Sequence, residues 1–226
     1  MTHPTPVKPA PARPAPQTRS VALPPETLEG WYATHQLYSI DRARLREMER
    51  GRRAELRARA AATLDLLGRP AEGGWTGCVT LVGSRADAML VHFRPTLDAV
   101  GEAERAFARE PLFDVLKPAY SFLSVTEAGL YQITADAAAD AEKRGGKVGD
   151  EEYTARIARK AQRELESAHV QKRLFPTPPE GMPYVCFYPM SKRRVPGQNW
   201  YSLPIAERSR LMYEHGMTGR RYAGKV

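Results

Sequence analysis

The chain has 226 residues, 42% of them hydrophobic and 27% charged, and carries a net charge of +8. That apolar content can offset the conformational entropy of one large or two small domains, which excludes a peptide, a fibre and wholesale disorder. No apolar run approaches the roughly 18 residues of a membrane span, and the first stretch lacks the hydrophobic centre of a secretory signal, so a cytoplasmic protein with no membrane partner is expected.

Residues 1–28 hold eight of the 19 prolines with almost no bulky apolar side chain, and predict a solvated tail. Lys8, Arg13 and Arg19 without acidic neighbours suit an organellar transit peptide, but the proline spacing forbids the amphipathic helix such a peptide needs. Gly30 to Ile40 reads as a strand, and Asp41 as the N-cap of one long helix through Leu45, Met48, Leu56, Ala60, Leu64 and Leu67, stopped by Gly68 and Pro70. Trp75 to Val82 and Ala88 to Phe93 read as strands joined by the turn Gly83-Ser84-Arg85. Leu97, Val100 and Phe107 mark a second helix, and Tyr120 to Val125 a further strand. Strand, helix, strand, strand, helix, strand is the ferredoxin-like arrangement of an α+β domain, placed here at residues 29–133. Cys78 and Cys186 lie in apolar strand-like runs without metal-ligand spacing and are expected to be small core residues.

Residues 134–182 read as an insertion, a connecting helix and a linker: Thr134 to Gly149 as a flexible Ala, Asp and Gly stretch, then a charged helix from Glu151 to Ala168. Prolines 176, 178, 179 and 183 open a second unit at residues 183–226, with a strand from Tyr184 to Met190 and a helix from Pro204 that Gly216 should stop. One strand and one helix leave a ladder edge and an apolar face for more chain, another subunit or the first sheet to cover.

Residues His169 to Val226 carry +7 of the total charge, which attracts phosphates, nucleic acid or a polycarboxylate. Tyr188, Met190 and Lys192 alternate, so a strand would put a phenol, a soft apolar group and an ammonium on one face; the plainer reading is a strand ending in a solvated basic turn. His215 shares a helical stripe with Ile205 and Met212, beside Leu211, and should leave the helix on its buried side, either as an iron ligand or as a satisfied core residue. His3, His35, His92 and His169 show no metal-ligand spacing with it, which argues against a tetrahedral multi-His site.

The run PYVCFYPMSKRR from Pro183, the run NWYSLP from Asn199, Glu207-Arg208, LMYEHG from Leu211 and GRRYAGKV from Gly219 together closely resemble the chlorite dismutase superfamily, nearest its coproheme decarboxylase branch. Gly30-Trp31-Tyr32 with His35, Phe93-Arg94-Pro95-Thr96, and His169-Val170 with Arg173-Leu174 fit as well. The resemblance implies a dimeric α/β barrel type of ferredoxin-like fold, a domain at 29–133 followed by the start of a haem-binding one, and often a pentameric homo-oligomer. It implies an enzyme that uses hydrogen peroxide to decarboxylate two propionates of iron coproporphyrin III, which is both substrate and redox cofactor, giving protohaem. By matching positions, His215 would ligate the iron, Tyr188 would abstract hydrogen from a propionate and Lys192 would hold that propionate. Met190 would pack in the pocket near Trp200, and Tyr131, Lys172 and Arg173 would add propionate contacts. Gln171 stands where many members have Arg, and members typically continue past the Gly-Lys-Val at which this sequence ends. Should the protein stop at Val226, weak haem binding is expected, because the ligand imidazole lacks an oriented partner and the pocket a wall. The alternatives are a haem-binding, peroxidase-like relative without decarboxylation, and a basic ferredoxin-like module that binds nucleic acid. The last is disfavoured because the tail's aromatics alternate with apolar residues and do not line the basic patch.

Overall fold

The computed structural model describes residues 22–178, 181 and 183–222. Four antiparallel strands form one sheet in the order β2-β3-β1-β4, with β1 at Thr27–Ile40, β2 at Trp75–Thr80, β3 at Ala88–Arg94 and β4 at Leu116–Gly129. Helices α1 (Arg42–Glu47) and α2 (Arg50–Gly68) connect β1 to β2, and α3 (Leu97–Ala108) connects β3 to β4. This is the ferredoxin-like topology that the order of hydrophobic periods predicts. Strand alternation sends Tyr38 and Leu90 to the face that receives α3, where they meet Phe107, with Leu64, Leu67 and Phe113 packed around them. Burial of side chains the size of Leu90 and Phe107 contributes about 2 kcal/mol each.

Several expectations change. The first helix is two, broken where Met48 turns extended. Asp41 caps α1 through a 3.0 Å bond from Arg44 N, and α2 is then free to lay Leu56 and Ala60 onto the core. Cys78 and Cys186 are exposed, not core residues, because β2 is an edge strand and the chain around Cys186 is outside the sheet. The stretch expected to be a flexible insertion is helix α4 (Tyr131–Lys143), with only the following turn left irregular. Alanine is the best helix former, and the small side chains Thr134, Ala137 and Ala141 are buried where neighbouring elements pack close. Helix α5 (Glu151–Leu165) starts on the Asp150 carboxylate and is joined to α4 by Arg156–Asp140 and Lys160–Asp136 pairs. Helix α6 (Ala168–Leu174) docks on β4 through Val170 and Leu174 against Ala128. Helix α7 (Ile205–Arg220) lies on α4 and runs through Gly216, which costs about 1 kcal/mol relative to Ala but does not end a helix.

Gly30 marks the closest approach of α6 to β1. A Cβ there would stand 2.2 Å from the Leu174 carbonyl oxygen and 2.6 Å from Thr126 Oγ1, which itself donates to that carbonyl at 2.7 Å. Gly30→Ala is therefore expected to cost about 2 kcal/mol by overpacking, read as a lower urea midpoint. An unchanged midpoint would mean that α6 is not seated on β1 as described. Among the described residues no helix is long and apolar enough to cross a membrane.

Candidate functional site

Beyond α6, residues 183–190 are extended chain. Residues Pro183 to Met190 enter no ladder, in contrast to the strand expected from Tyr184 to Met190. Pro183 and Pro189 each remove a backbone donor, which suits extended chain and works against ladder pairing. The segment meets the sheet through Phe187, whose ring stacks on His35 at 4.4 Å with the planes 12° apart. His35 lies on the same face as Ala33 and Leu37, opposite Tyr38, and burial pushes its imidazole below the usual range, with the nearby Phe122 backbone partly opposing this. Its role here was not read from its sequence position, although the alternation of β1 is the signal that places it on that face.

The chain then folds back on itself. Gly197 takes φ +80° in a turn closed by Gln198 N donating to Val195 O at 3.0 Å, and Trp200 N donates to Arg193 O at 3.0 Å. Asn199 caps the single 3-10 turn Trp200–Ser202. The fold-back sets the Lys192 ammonium over the Trp200 indole, 4.7 Å from the ring centroid, and Arg194 over Tyr201 at the same distance. The Trp200 ring meets Tyr131, the first residue of α4, edge-on at 6.2 Å. Tyr131 thus joins Lys192 and Trp200, which are distant from it in the sequence, in one cluster. A cavity of about 480 Å3 beside it is lined by Lys192, Arg193, Asn199 and Trp200. The stretch from Gly181 to Ala206 contains no Asp or Glu, so these cations have no carboxylate within their own loop.

The remaining candidates are distributed differently. Tyr188 and Met190 are 67% and 82% exposed, and Tyr188 lines a separate groove against β2 and β3. Lys172 and Arg173 lie exposed on α6, where Arg173 Nε donates to Glu127 O at 2.6 Å and Gln171 donates to Leu165 O. His215 is exposed, in contrast to the buried position expected for it. The contact with α4 includes Ser209, which donates to Gln132 Oε1 at 2.8 Å, while the buried Arg208 donates to the Leu23 carbonyl ahead of β1. Gln132 is the second residue of α4, so α7 beyond this point runs past its partner, and every residue from Tyr213 to Arg220 is exposed. The hydrophobic stripe placed His215 correctly on the helix but could not show where the partner helix ends.

A resident tetrapyrrole can be weighed against these residues. The donor chemistry fits: His215 has no hydrogen-bond partner among the described residues, and the acid-free loop offers cations to a ligand rich in carboxylates. Enclosure is less complete, since Tyr188, Met190 and His215 all face solvent.

A ferredoxin-like sheet is thus followed by a cationic loop stacked on aromatic rings and by a projecting helix that carries an exposed imidazole. The family is settled by comparison. Residues 53–226 match the chlorite dismutase family model, and the chain belongs to that family. A heme-binding protein from Thermus thermophilus is 33% identical, with a TM-score of 0.67 over 90% of this chain and 72% of its own length. A chlorite dismutase variant from Candidatus Nitrospira defluvii is 18% identical, with a TM-score of 0.41 over 46% of this chain and 44% of its own.

Proposed function

We propose that the chain acts in coproheme decarboxylation, binding iron coproporphyrin III and converting it with hydrogen peroxide to protohaem. The observation that carries this reading is the Tyr131, Lys192 and Trp200 cluster beside a loop without acidic residues. When bound, the iron tetrapyrrole supplies the peroxide chemistry. His215 offers an imidazole nitrogen to the metal from the projecting end of α7. The stacked ammonium of Lys192 has lost part of its rotamer freedom before any ligand arrives, so it can hold a propionate at a smaller entropic cost than a free lysine. Tyr188 carries the phenol for hydrogen transfer, and Met190, two residues on, supplies apolar contact. Trp200 and Tyr131 form the wall, and Lys172 and Arg173 add cationic charge for further propionates. The heme-binding relative supports the ligand class. Homo-oligomerisation in cytoplasm belongs to the same reading.

Titration with ferric coproporphyrin should shift the Soret band, and His215→Ala should abolish the shift. Lys192→Ala should weaken binding about tenfold, the loss of one charge-assisted contact, without removing the band. Adding peroxide should give protohaem in the parent chain and none in Tyr188→Phe. A Soret shift that survives in His215→Ala would overturn the ligand assignment, and binding without protohaem formation would leave a haem-binding relative that does not decarboxylate.

A further inference from the structure

The turn at Gly197 returns the chain antiparallel to itself: Gln198 N donates to Val195 O and Trp200 N to Arg193 O. Residues directly opposite in such a pair share a face, so Arg193 stands with Trp200, and Gln198 is its diagonal neighbour. The side chains agree with that register, since Arg193 Nη1 donates to Gln198 Oε1. Lys192 reaches the same indole from the preceding residue, its stem long enough to set the ammonium over the ring. Both cations line the cavity of about 480 Å3, together with Gln198, Asn199 and Trp200. Arg194 is engaged elsewhere, over Tyr201, and does not line it. Two positive charges thus share one cavity, and the groups that hold them, an indole and an amide, are neutral.

We infer that Arg193 is a second anion-holding residue of this loop, so that the cavity takes two carboxylates of one ligand, one on Lys192 and one on Arg193. This rests on the carboxylate-rich ligand proposed above and assigns the residue that discriminates by carboxylate number. Like charges brought to one cavity repel, and a single carboxylate neutralises only one of them. A second carboxylate removes the remaining charge. The Arg193 guanidinium has five N–H donors in a planar fork, and Gln198 takes one of them. Among the described residues its other donors make no hydrogen bond, which leaves an edge of the fork to donate two parallel bonds to a carboxylate. Gln198 is a positioning residue: its amide oxygen fixes the fork before the ligand arrives, as the indole does for the ammonium of Lys192. With no Asp or Glu from Gly181 to Ala206, no carboxylate of the loop itself competes for either cation. Such a site favours a ligand with two neighbouring acidic arms over a ligand with one.

The test uses metal-free coproporphyrin III, which offers carboxylates but no iron to an imidazole, and follows its fluorescence anisotropy as the full chain is added. The parent should bind it. Arg193→Gln should weaken binding about tenfold, the loss of one charge-assisted contact, and Gln198→Glu about as much, because the new carboxylate would occupy the fork. Lys192→Ala combined with Arg193→Gln should weaken it about a hundredfold, since arms held by different cations are lost independently. Arg194→Gln, which removes the same charge beside Tyr201, should change it less than about twofold. All four positions are exposed, so the urea midpoints should stay at the parent's value. No binding by the parent, or Arg193→Gln within about twofold of it, would overturn the second contact. A double variant no weaker than Lys192→Ala alone would mean that both cations hold one carboxylate, and would overturn the two-arm assignment. A ferric Soret shift that survives in His215→Ala while these losses stand would sink the iron ligation alone and support the carboxylate site.

Discussion

Arg94→Met is expected to cost about 4 kcal/mol of stability, lowering the urea midpoint by about 2 M at a slope of about 2 kcal/mol/M. Arg94 is 3% exposed and has no ion-pair partner among the described residues, yet its guanidinium bonds four acceptors. Nη1 donates to Trp75 O at 2.8 Å and Phe93 O at 2.7 Å, and Nη2 to Leu67 O at 3.0 Å and Thr76 Oγ1 at 2.9 Å. One side chain thus joins the end of α2 to β2 and β3. Burial pushes its pKa down and the field of Glu72 partly opposes this, but a guanidinium remains charged at neutral pH. Methionine preserves much of the volume while stranding three carbonyls and a hydroxyl, which separates the polar loss from a cavity. Arg94→Lys should recover little, because an ammonium cannot span acceptors on three elements. A midpoint within about 0.5 M of the parent would show that water replaces these bonds at little cost.

Acidification from pH 7 to pH 4 is expected to remove about 3 kcal/mol through His92 alone. The ring is fully buried, its Nδ1 lies 2.9 Å from Thr76 Oγ1, and its Nε2 has no partner. Burial, and then the charge of Arg94, lower its pKa from 6.5 to about 4. On β1 the residue opposite is Thr34, and among the described residues no carboxylate pairs with the ring to favour its charged form. The unfolded chain therefore binds a proton first as the pH falls. This stability is present above about pH 6.5 and is lost progressively until about pH 4, where the folded form also protonates. His35 is lowered in the same direction and steepens the loss in that window. Asp41 and Asp87 are held below the carboxylate range by Lys117 and by the Ile40 backbone respectively, so the stability they add is lost only at lower pH. His92→Gln, measured by urea unfolding across this range, should remove about 3 kcal/mol of that loss and leave the part that His35 contributes. A profile in the variant as steep as the parent's would assign the titration elsewhere.

The order of strands and helices from β1 to β4, the Asp41 cap and the α3 period were legible in the sequence, because each depends on residues within a few positions of one another, whereas the break at Met48, helix α4 and the unpaired chain at 183–190 were not. Tyr131 and Trp200 were marked only by the resemblance, Lys192 also by its alternation with Tyr188 and Met190, and the fold-back at Gly197 brings the three together. What composition misjudged was cover. The Ala and Asp stretch after Tyr131 reads as linker when alone, and is a helix because α5 and α7 pack on it. The same reason exposes His215: its stripe is local, but the length of α4 beneath α7 is not. Arg94 and His92 carry no local sign of burial, and only the crossing of α2 over β2 and β3 removes them from water. Period and caps act over one or two turns and are therefore written in the chain, whereas burial depends on which distant segment arrives, and that was decided by tertiary packing alone.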